Sequence, residues 1–597
     1  MSYKRLIVIF LSITICASSI FSDVPPARIH NPDIPYFLES MQFQTMQMNI
    51  FPPNVSGMVM DPYSDLIWNP AYILRQSQKS IYFDFNPQIT SPIFSVPIFT
   101  PYSNYYDFST SYMVLPRWYS TTSVSSVQTI PIYNFAALLP INSKISVALI
   151  NRSIFDYGPF RSTTWWRGGG WASDLSYNEV ALEDLETQRL EIDENQQTIF
   201  GNQSELIIGY KLSKKLDLGF RFGHYIFRRD GDLYDSKWAF YPHSSFADLN
   251  DESLKIDGDH IETGIGLIYH LNEKTHFGAY AGFTKGSGTE KVASLDTSDS
   301  WSERDTDSTY YSISEYYLKT SDSYTSEGKR PSMTITFEKN ISSKLIFRSF
   351  LHGTWSNTDI TGLVASMDTT YGDRTYDVWR NDTPHFQRRE SHSSRESGLD
   401  SNGKESINHW KWFASLIYAP NNDWSLFSGI QLQKYSFKQE IDETSDYYSH
   451  SWNKYTGYYN EENEYYYSHL KKYSFETNYD KWSVFVPVGI KAKVVKGLYV
   501  ILGTDVILTL DKEKSEGKLL YPSKINRRWE DGTLVVNEVE VNRYEEYSSD
   551  PAKNFNRSIQ QRFGIIYRHP SGAKLYIKSG GDVFHTSNWA IGFEMNW

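Results

Sequence analysis

The sequence predicts an all-β protein, a transmembrane antiparallel β-barrel of 14 to 16 strands, and three observations carry that expectation. The first is the C-terminal stretch, where Trp589, Ile591, Phe593, Met595 and Trp597 alternate with Ala590, Gly592, Glu594 and Asn596. A strand with that pattern is apolar over one whole face. The second is aromatic content: 16% of the chain, with 44 Tyr and 17 Trp, exceeds what a core needs and suits the two aromatic girdles of a membrane barrel. The third is a repeating grammar of two alternating strands joined by a short turn and followed by a long polar insertion.

Taken in order, residues 1–22 have the parts of a secretory signal peptide. Lys4 and Arg5 come first, then an apolar run, then the small residues Ala17, Ser18 and Ser19. Cys16, the only cysteine, lies inside this run, so disulfides hold nothing together in the mature chain. Ile15 before it argues against lipidation, which needs a small residue there. Beyond this run there is no apolar stretch of about 18 residues, and mean hydropathy is −0.49. No transmembrane helix is expected, so a membrane-spanning chain of this composition must close into a barrel.

Residues 23–79 open with Pro25, Pro26, Pro32, Pro35, Pro52 and Pro53, too many for a sheet interior. They end in the run from Asp61 through Asp65 to Asn69-Pro70-Ala71-Tyr72, which leads into the strand-like Ser80–Phe85. Asn bonds its own backbone and Pro fixes φ, so Asn-Pro is a turn signal. This segment resembles the one that precedes the first strand in the FadL-like (OmpP1/FadL/TodX) family of bacterial outer-membrane transporters, as a divergent relative. The resemblance implies an N-terminal hatch, residues 23–79, with Asp61, Asp65, Asn69, Pro70 and Ala71 as its motif, inside a barrel formed by residues 80–597. It also implies passive transport of small hydrophobic or amphipathic molecules. Tyr72 departs from the family, which usually has Gly there. The last strand resembles the C-terminal signal of outer-membrane barrels, with Phe593, Met595 and Trp597 in the signal positions. That implies recognition by the barrel assembly machinery and an integral place in the cell outer membrane, among its lipid and lipopolysaccharide.

Short turns fall at residues 140–143, 213–215, 271–274, 340–343, 420–423, 495–497 and 569–572. Each joins two strands long enough to cross a bilayer, which takes about 9 to 11 residues. Ile261, Thr263, Ile265, Leu267 and Tyr269 return as Phe277, Ala279, Ala281 and Phe283, one apolar face on both strands. The opposite rim carries the insertions 153–202, 228–259, 286–330, 356–407, 440–481 and 511–556. Short turns on one rim and long segments on the other are the periplasmic and extracellular ends of a barrel. Counting back from Trp597 gives 14 strands from near Lys144, and residues 132–139 and 80–85 raise this to 16, with 107–115 a further strand or part of a loop.

If the apolar faces meet lipid, the alternate positions line a lumen. They include Arg221, Arg348, His352, Lys411, Lys491, Asp505, Gln560 and Arg562, interspersed with Gly219, Gly264, Gly266, Gly278, Gly282, Gly489 and Gly503. Such a lining suits a conduit whose cations favour anionic or amphipathic solutes, or a set of charges that pair with each other or with the hatch. The Tyr-rich insertions are expected as strands prolonged above the membrane and packed on one another, or as surfaces that stack on sugars or partner proteins. The two Asp-Gly-Asp triplets at 230–232 and 257–259 are expected as turns, since they lack the spacing of a calcium loop. The formal charge, 58 − 70 = −12, and the lack of a basic stripe exclude nucleic acid as a partner. No hydrolase elbow, zinc-protease motif or phosphate-binding glycine loop is present, so neither catalysis nor a cofactor or metal is expected. The alternative to transport is a surface adhesin or secretion-complex scaffold with a closed lumen.

Overall fold

The computed structural model describes residues 58–85, 133–158, 188–241, 244–303, 311–380, 383–421, 423–458, 460–548, 552–580 and 589–596. The expected signal sequence, the first part of the expected hatch, segment 107–115 and Trp597 lie outside the described residues.

A four-residue helix, α1 (Asp65–Trp68), and a 3-10 turn (Pro70–Arg75) precede the strands. These are β1 (Ser80–Phe85), β2 (Tyr133–Pro140), β3 (Ile145–Gly158), β4 (Gln188–Lys211), β5 (Leu216–Tyr241) and β6 (Ser244–Asn272). There follow β7 (Thr275–Glu303), β8 (Tyr311–Ser342), β9 (Leu345–Arg380), β10 (Thr383–Asn421), β11 (Trp424–Gly457) and β12 (Glu461–Val495). The last are β13 (Leu498–Glu530), β14 (Thr533–Glu540), β15 (Arg543–Ser548), β16 (Ala552–Arg568), β17 (Lys574–Gly580) and β18 (Trp589–Asn596).

From β1 to β13 and from β16 to β18 each strand pairs antiparallel with the next, β13 pairs with β16, and β1 pairs with both β2 and β18, so the sheet closes on itself. β14 and β15 stand outside the ring, continuing the edge of β13 past the point where β16 ends. Eighteen strands less these two leave a closed ring of sixteen, the upper of the expected counts. The last strand, with Phe593 and Met595 pointing outward, meets Phe83 and Ile81 of the first.

The short turns stand where the sequence places them, and their chemistry is local. Asn142, Asn272 and Asn421 each accept a backbone N–H two residues on through the side-chain oxygen, at 2.8 to 2.9 Å. Gly497 and Gly572 take φ values of +80° and +92°, which a side chain would strain.

Among the described residues the long insertions are strands throughout most of their length. β10 alone has 39 residues, roughly 130 Å of chain at the usual rise. The expectation of Asp-Gly-Asp turns is corrected here: Asp230 to Asp232 lies inside β5 and Asp257 to Asp259 inside β6, paired across the same ladder. Their glycines are inward positions of a continuous strand; turn propensity yields to the ladder on both sides. The paired Tyr segments also pack across strands, Tyr447 stacking on His469 at 5.0 Å and Tyr448 meeting Tyr466 at 5.4 Å.

Near the short turns the outward face is apolar and the inward face polar, and further up the polarity exchanges. On β6, Ile261, Ile265 and Leu267 face outward and Glu262 inward, whereas beyond Ile261 the outward residues are Asp259, Asp257 and Lys255 and the inward ones His260, Gly258 and then Ile256. The apolar band is bounded by aromatic rows. Phe277, Phe337 and Phe347 lie at one edge with centroids 4.9 and 6.0 Å apart, and Trp355 meets Trp410 at 4.8 Å near the other. No helix among the described residues is long and apolar enough to cross a membrane.

Candidate functional site: a plugged lumen

Residues 58–75 sit inside the ring at the height of the apolar band. Their apolar side chains, among them Met58, Leu66, Trp68 and Tyr72, form one buried cluster with wall residues from most of the circumference, from Tyr82 on β1 through Phe350 on β9 to Tyr576 on β17. The lumen is filled at this level.

The segment is shaped by its own polar groups first. Asp61 accepts the backbone N–H groups of Tyr63 and Ser64 at 3.1 and 2.7 Å, which starts the turn into α1. Asn69 then breaks the helix in an extended conformation, φ −158°, and its side-chain oxygen accepts the N–H of Ala71 at 3.0 Å while Pro70 opens the 3-10 turn. The amide nitrogen of the same Asn69 donates to the carbonyls of Leu267 on β6 and Ala279 on β7, at 2.9 and 3.2 Å. One side chain thus forms the turn and fastens it to the wall.

Glycines make that approach feasible. A Cβ on Gly219 would lie 2.2 Å from the Ala71 nitrogen, one on Gly266 would lie 2.1 Å from the Asn69 side-chain oxygen, and one on Gly209 would lie 2.4 Å from Ile73. Gly219 and Gly266 are among the inward glycines expected from sequence.

Charge completes the attachment. Arg348 donates to both oxygens of Asp65 at 3.2 and 3.0 Å and to Glu338 at 3.0 and 2.7 Å, and it is wholly buried. Arg75 of the plug reaches the other oxygen of Glu338 at 2.5 Å. Two cations and two carboxylates therefore form a neutral latch, with one of each sign on the plug and one on the wall. A buried charge needs such matching, because leaving one partner alone forfeits its hydration for nothing. Arg221 joins wall to plug in the same way, donating to Glu262 at 3.2 Å and to the carbonyl of Leu66.

Of the other inward residues expected, His352 stands 5.2 Å from the Trp68 ring with its Nδ1 2.9 Å from the Thr334 hydroxyl. Lys491 lies 5.4 Å from the centre of the Tyr499 ring. Asp505 is buried and Lys411 half-buried. Arg562 is placed by its backbone, opposite Gly503 and Gly580; its side chain and that of Gln560 are outside the described residues. The arrangement brings Arg221, Arg348 and His352 to the plug, together with Asp65, Asn69, Pro70 and Ala71.

Sequence reasoning named Asp65 and Arg348 of the latch and missed Glu338 and Arg75. Glu338, Glu262, Glu205 and Glu594 are all buried, and each sits at the alternate position of a strand whose other face is apolar. Parity alone would have found them: Glu338 shares a face with Thr334 and Thr336, opposite Met333, Ile335 and Phe337. Tyr72, the departure from the FadL-like pattern, stacks on Phe350 at 6.3 Å and donates to Thr336 at 3.0 Å. No cluster of three metal-ligating side chains occurs among the described residues.

No protein-family model matches the chain, and no curated protein matches it in sequence. Among solved structures it is similar to the CymD monoaromatic hydrocarbon channel, at 10% identity over 67% of this chain and 97% of that one, TM-score 0.24. It is also similar to a Pseudomonas aeruginosa FadL homologue, at 8% identity over 91% and 96% of the two chains, TM-score 0.26. The P. putida toluene transporter TodX matches at 9% identity over 94% and 99%, TM-score 0.22. Identities and TM-scores this low carry no argument here; the barrel rests on its own strand pairing.

Proposed function

We propose that this chain is an outer-membrane barrel through which small hydrophobic or amphipathic molecules pass without a chemical step, and that residues 23–79 act as its hatch. The observation that supports it most is the kind of contact that holds the plug. A short segment fastened by an amide, a charge latch and a glycine cradle is attached to the wall without being part of the sheet, so it can leave while the ring of strand pairs stays whole. The outward apolar band with its aromatic edges fits a bilayer, and a closed ring leaves no unpaired strand edge in hydrocarbon. The long hairpins then stand outside the cell and the short turns in the periplasm. Phe593, Met595 and Trp597 serve as the strand read by the assembly machinery.

Conductance in planar bilayers tests this, with the intact protein compared with one lacking residues 23–70. The shortened protein conducts more if the plug is the obstruction. Equal conductance of two folded barrels would overturn the hatch and favour a closed scaffold. Uptake into vesicles of an aromatic hydrocarbon, against a sugar of similar size, tests the solute class.

A further inference from the structure

Register sets outward side chains side by side in rows across neighbouring strands. Across β11, β12, β13 and β16 one row reads Lys434, Trp482, Leu510 and Phe555, and the next outward row reads Ser436, Asp480, Lys512 and Lys553. The first is the last apolar row: Trp482, Leu510 and Phe555 are all exposed, and Lys434 Nζ lies 5.4 Å from the Trp482 ring. The second sets Lys512 directly across from Lys553, both exposed.

Like charges in facing cross-strand positions repel. Neither lysine has a carboxylate within ion-pair distance among the described residues; Asp480, beside Lys512 in the row, accepts from the Ser436 hydroxyl at 2.6 Å instead. Arg557, exposed and opposite Leu508, lies one row below Phe555. Higher on the same face Lys514 is paired with Glu516.

The arrangement recurs further round the wall. Outward Lys285 stands across from Lys329, directly above the pair Phe283 and Pro331, with Glu327 at 3.2 Å from Lys285. Two facing lysine pairs at the upper edge of the apolar band, in a chain of charge −12, mark a border where anions are expected from outside the protein.

The geometry points to a belt that binds the phosphorylated headgroup of an outer-leaflet lipid. Acyl chains lie against Trp482, Leu510 and Phe555, and phosphate oxygens bridge the Nζ atoms of Lys512 and Lys553, which removes the repulsion between them. The Lys285 and Lys329 pair takes a second headgroup. This rests on the outer-membrane reading above, and it adds the residues and the lipid chemistry.

The test uses the mature protein folded in a nonionic detergent and titrated with bisphosphorylated lipid A, with its dephosphorylated form, or with inorganic phosphate. Binding is read by native mass spectrometry and by the shift in the unfolding midpoint. Lipid A is expected to bind about tenfold or more tightly than its dephosphorylated form, since each lysine near an anionic surface contributes on the order of 1 kcal/mol. K512Q/K553Q and K285Q/K329Q should each reduce that difference, while K214Q/K496Q, at the short-turn rim, should keep it.

Equal binding of the two lipid forms, or pair variants that bind like the parent, would overturn the belt. Saturation by inorganic phosphate alone at similar concentration would overturn the lipid as the source of the anion. Insertion into neutral phosphatidylcholine vesicles, followed by heat-modifiable gel migration, separates the two readings. A protein that inserts but does not discriminate leaves the membrane reading standing and sinks the belt, whereas one that fails to insert overturns both.

Discussion

The lower and upper parts of this barrel obey the same period of two with opposite sign. Around the plug, on β9, the outward residues are Phe347, Leu351 and Trp355 and the inward ones Arg348 and His352; higher on the same strand Asn357 and Asp359 face outward and Ile360 inward. On β11 the exchange runs from outward Ile430 and Leu432 with inward Gln431 to outward Lys438 and Glu440 with inward Phe437 and Ile441. A strand has no preference for which face is apolar; the medium outside decides. Below the border the polar face needs partners, and the plug with its latch provides them. Above it the inward face can be an ordinary core, where Ile407, Tyr435, Phe437 and Tyr479 pack together.

The sharpest break in this contrast is Arg348→Met. It leaves Asp65 and Glu338 buried with only Arg75 between them and should cost about 3 to 5 kcal/mol, read as loss of heat-modifiable folded protein in urea. A variant as stable as the parent would show that the latch does not hold the plug.

Next in size is a charge on the outward face. Ile265→Arg, within the apolar band of β6, should cost roughly 2 to 4 kcal/mol in a bilayer, while Asp257→Leu, on the same face above the border, should lie within about 0.5 kcal/mol of the parent. Refolding yields into lipid vesicles compare them, and similar effects at the two sites would erase the border.

The upper core supplies a pH test. Burial pushes the Glu405 carboxyl up to about 7, partly offset by the Gln439 amide that donates to it at 2.8 Å; its other oxygen has no hydrogen-bond partner among the described residues. A carboxyl whose folded-state pKa is raised binds its proton more tightly folded than unfolded. Stability therefore falls as pH rises from about 4.5 to about 7, by at most about 3 kcal/mol. Glu405→Gln should flatten the unfolding midpoint across that window and stand above the parent beyond pH 7. An unchanged pH profile would rule out a buried Glu405.

The smallest expected effect separates two glycines of β5. Gly219→Ala drives a Cβ to 2.2 Å from the plug backbone and should loosen the plug by about 1 to 3 kcal/mol, whereas Gly223→Ala meets nothing nearer than 3.4 Å. Protease sensitivity of residues 58–75 is the measurement, and equal sensitivity in the two variants would refute the cradle.

Alternation of apolar residues determined the barrel, a ring of 14 to 16 strands and the short turns of one rim from sequence alone; closure of β1 on β18 decided that the ring has sixteen. Each strand carries its own period, and Asn, Ser and Gly set the turns through contacts within a few residues. The inward placement of Arg221, Arg348 and Gly219 followed from the same parity. Tertiary structure alone decided what those residues do. That Arg348 meets Asp65, 283 residues away, or that Asn69 reaches Leu267 and Ala279, depends on where closure of the ring sets a segment that belongs to no strand. The Asp-Gly-Asp triplets became strand because neighbours on both sides supplied ladder bonds, and Lys512 faces Lys553 because the segments of β14 and β15 intervene before β16 returns along β13. A local pattern cannot specify pairings made across tens or hundreds of residues, where register and closure set the partner.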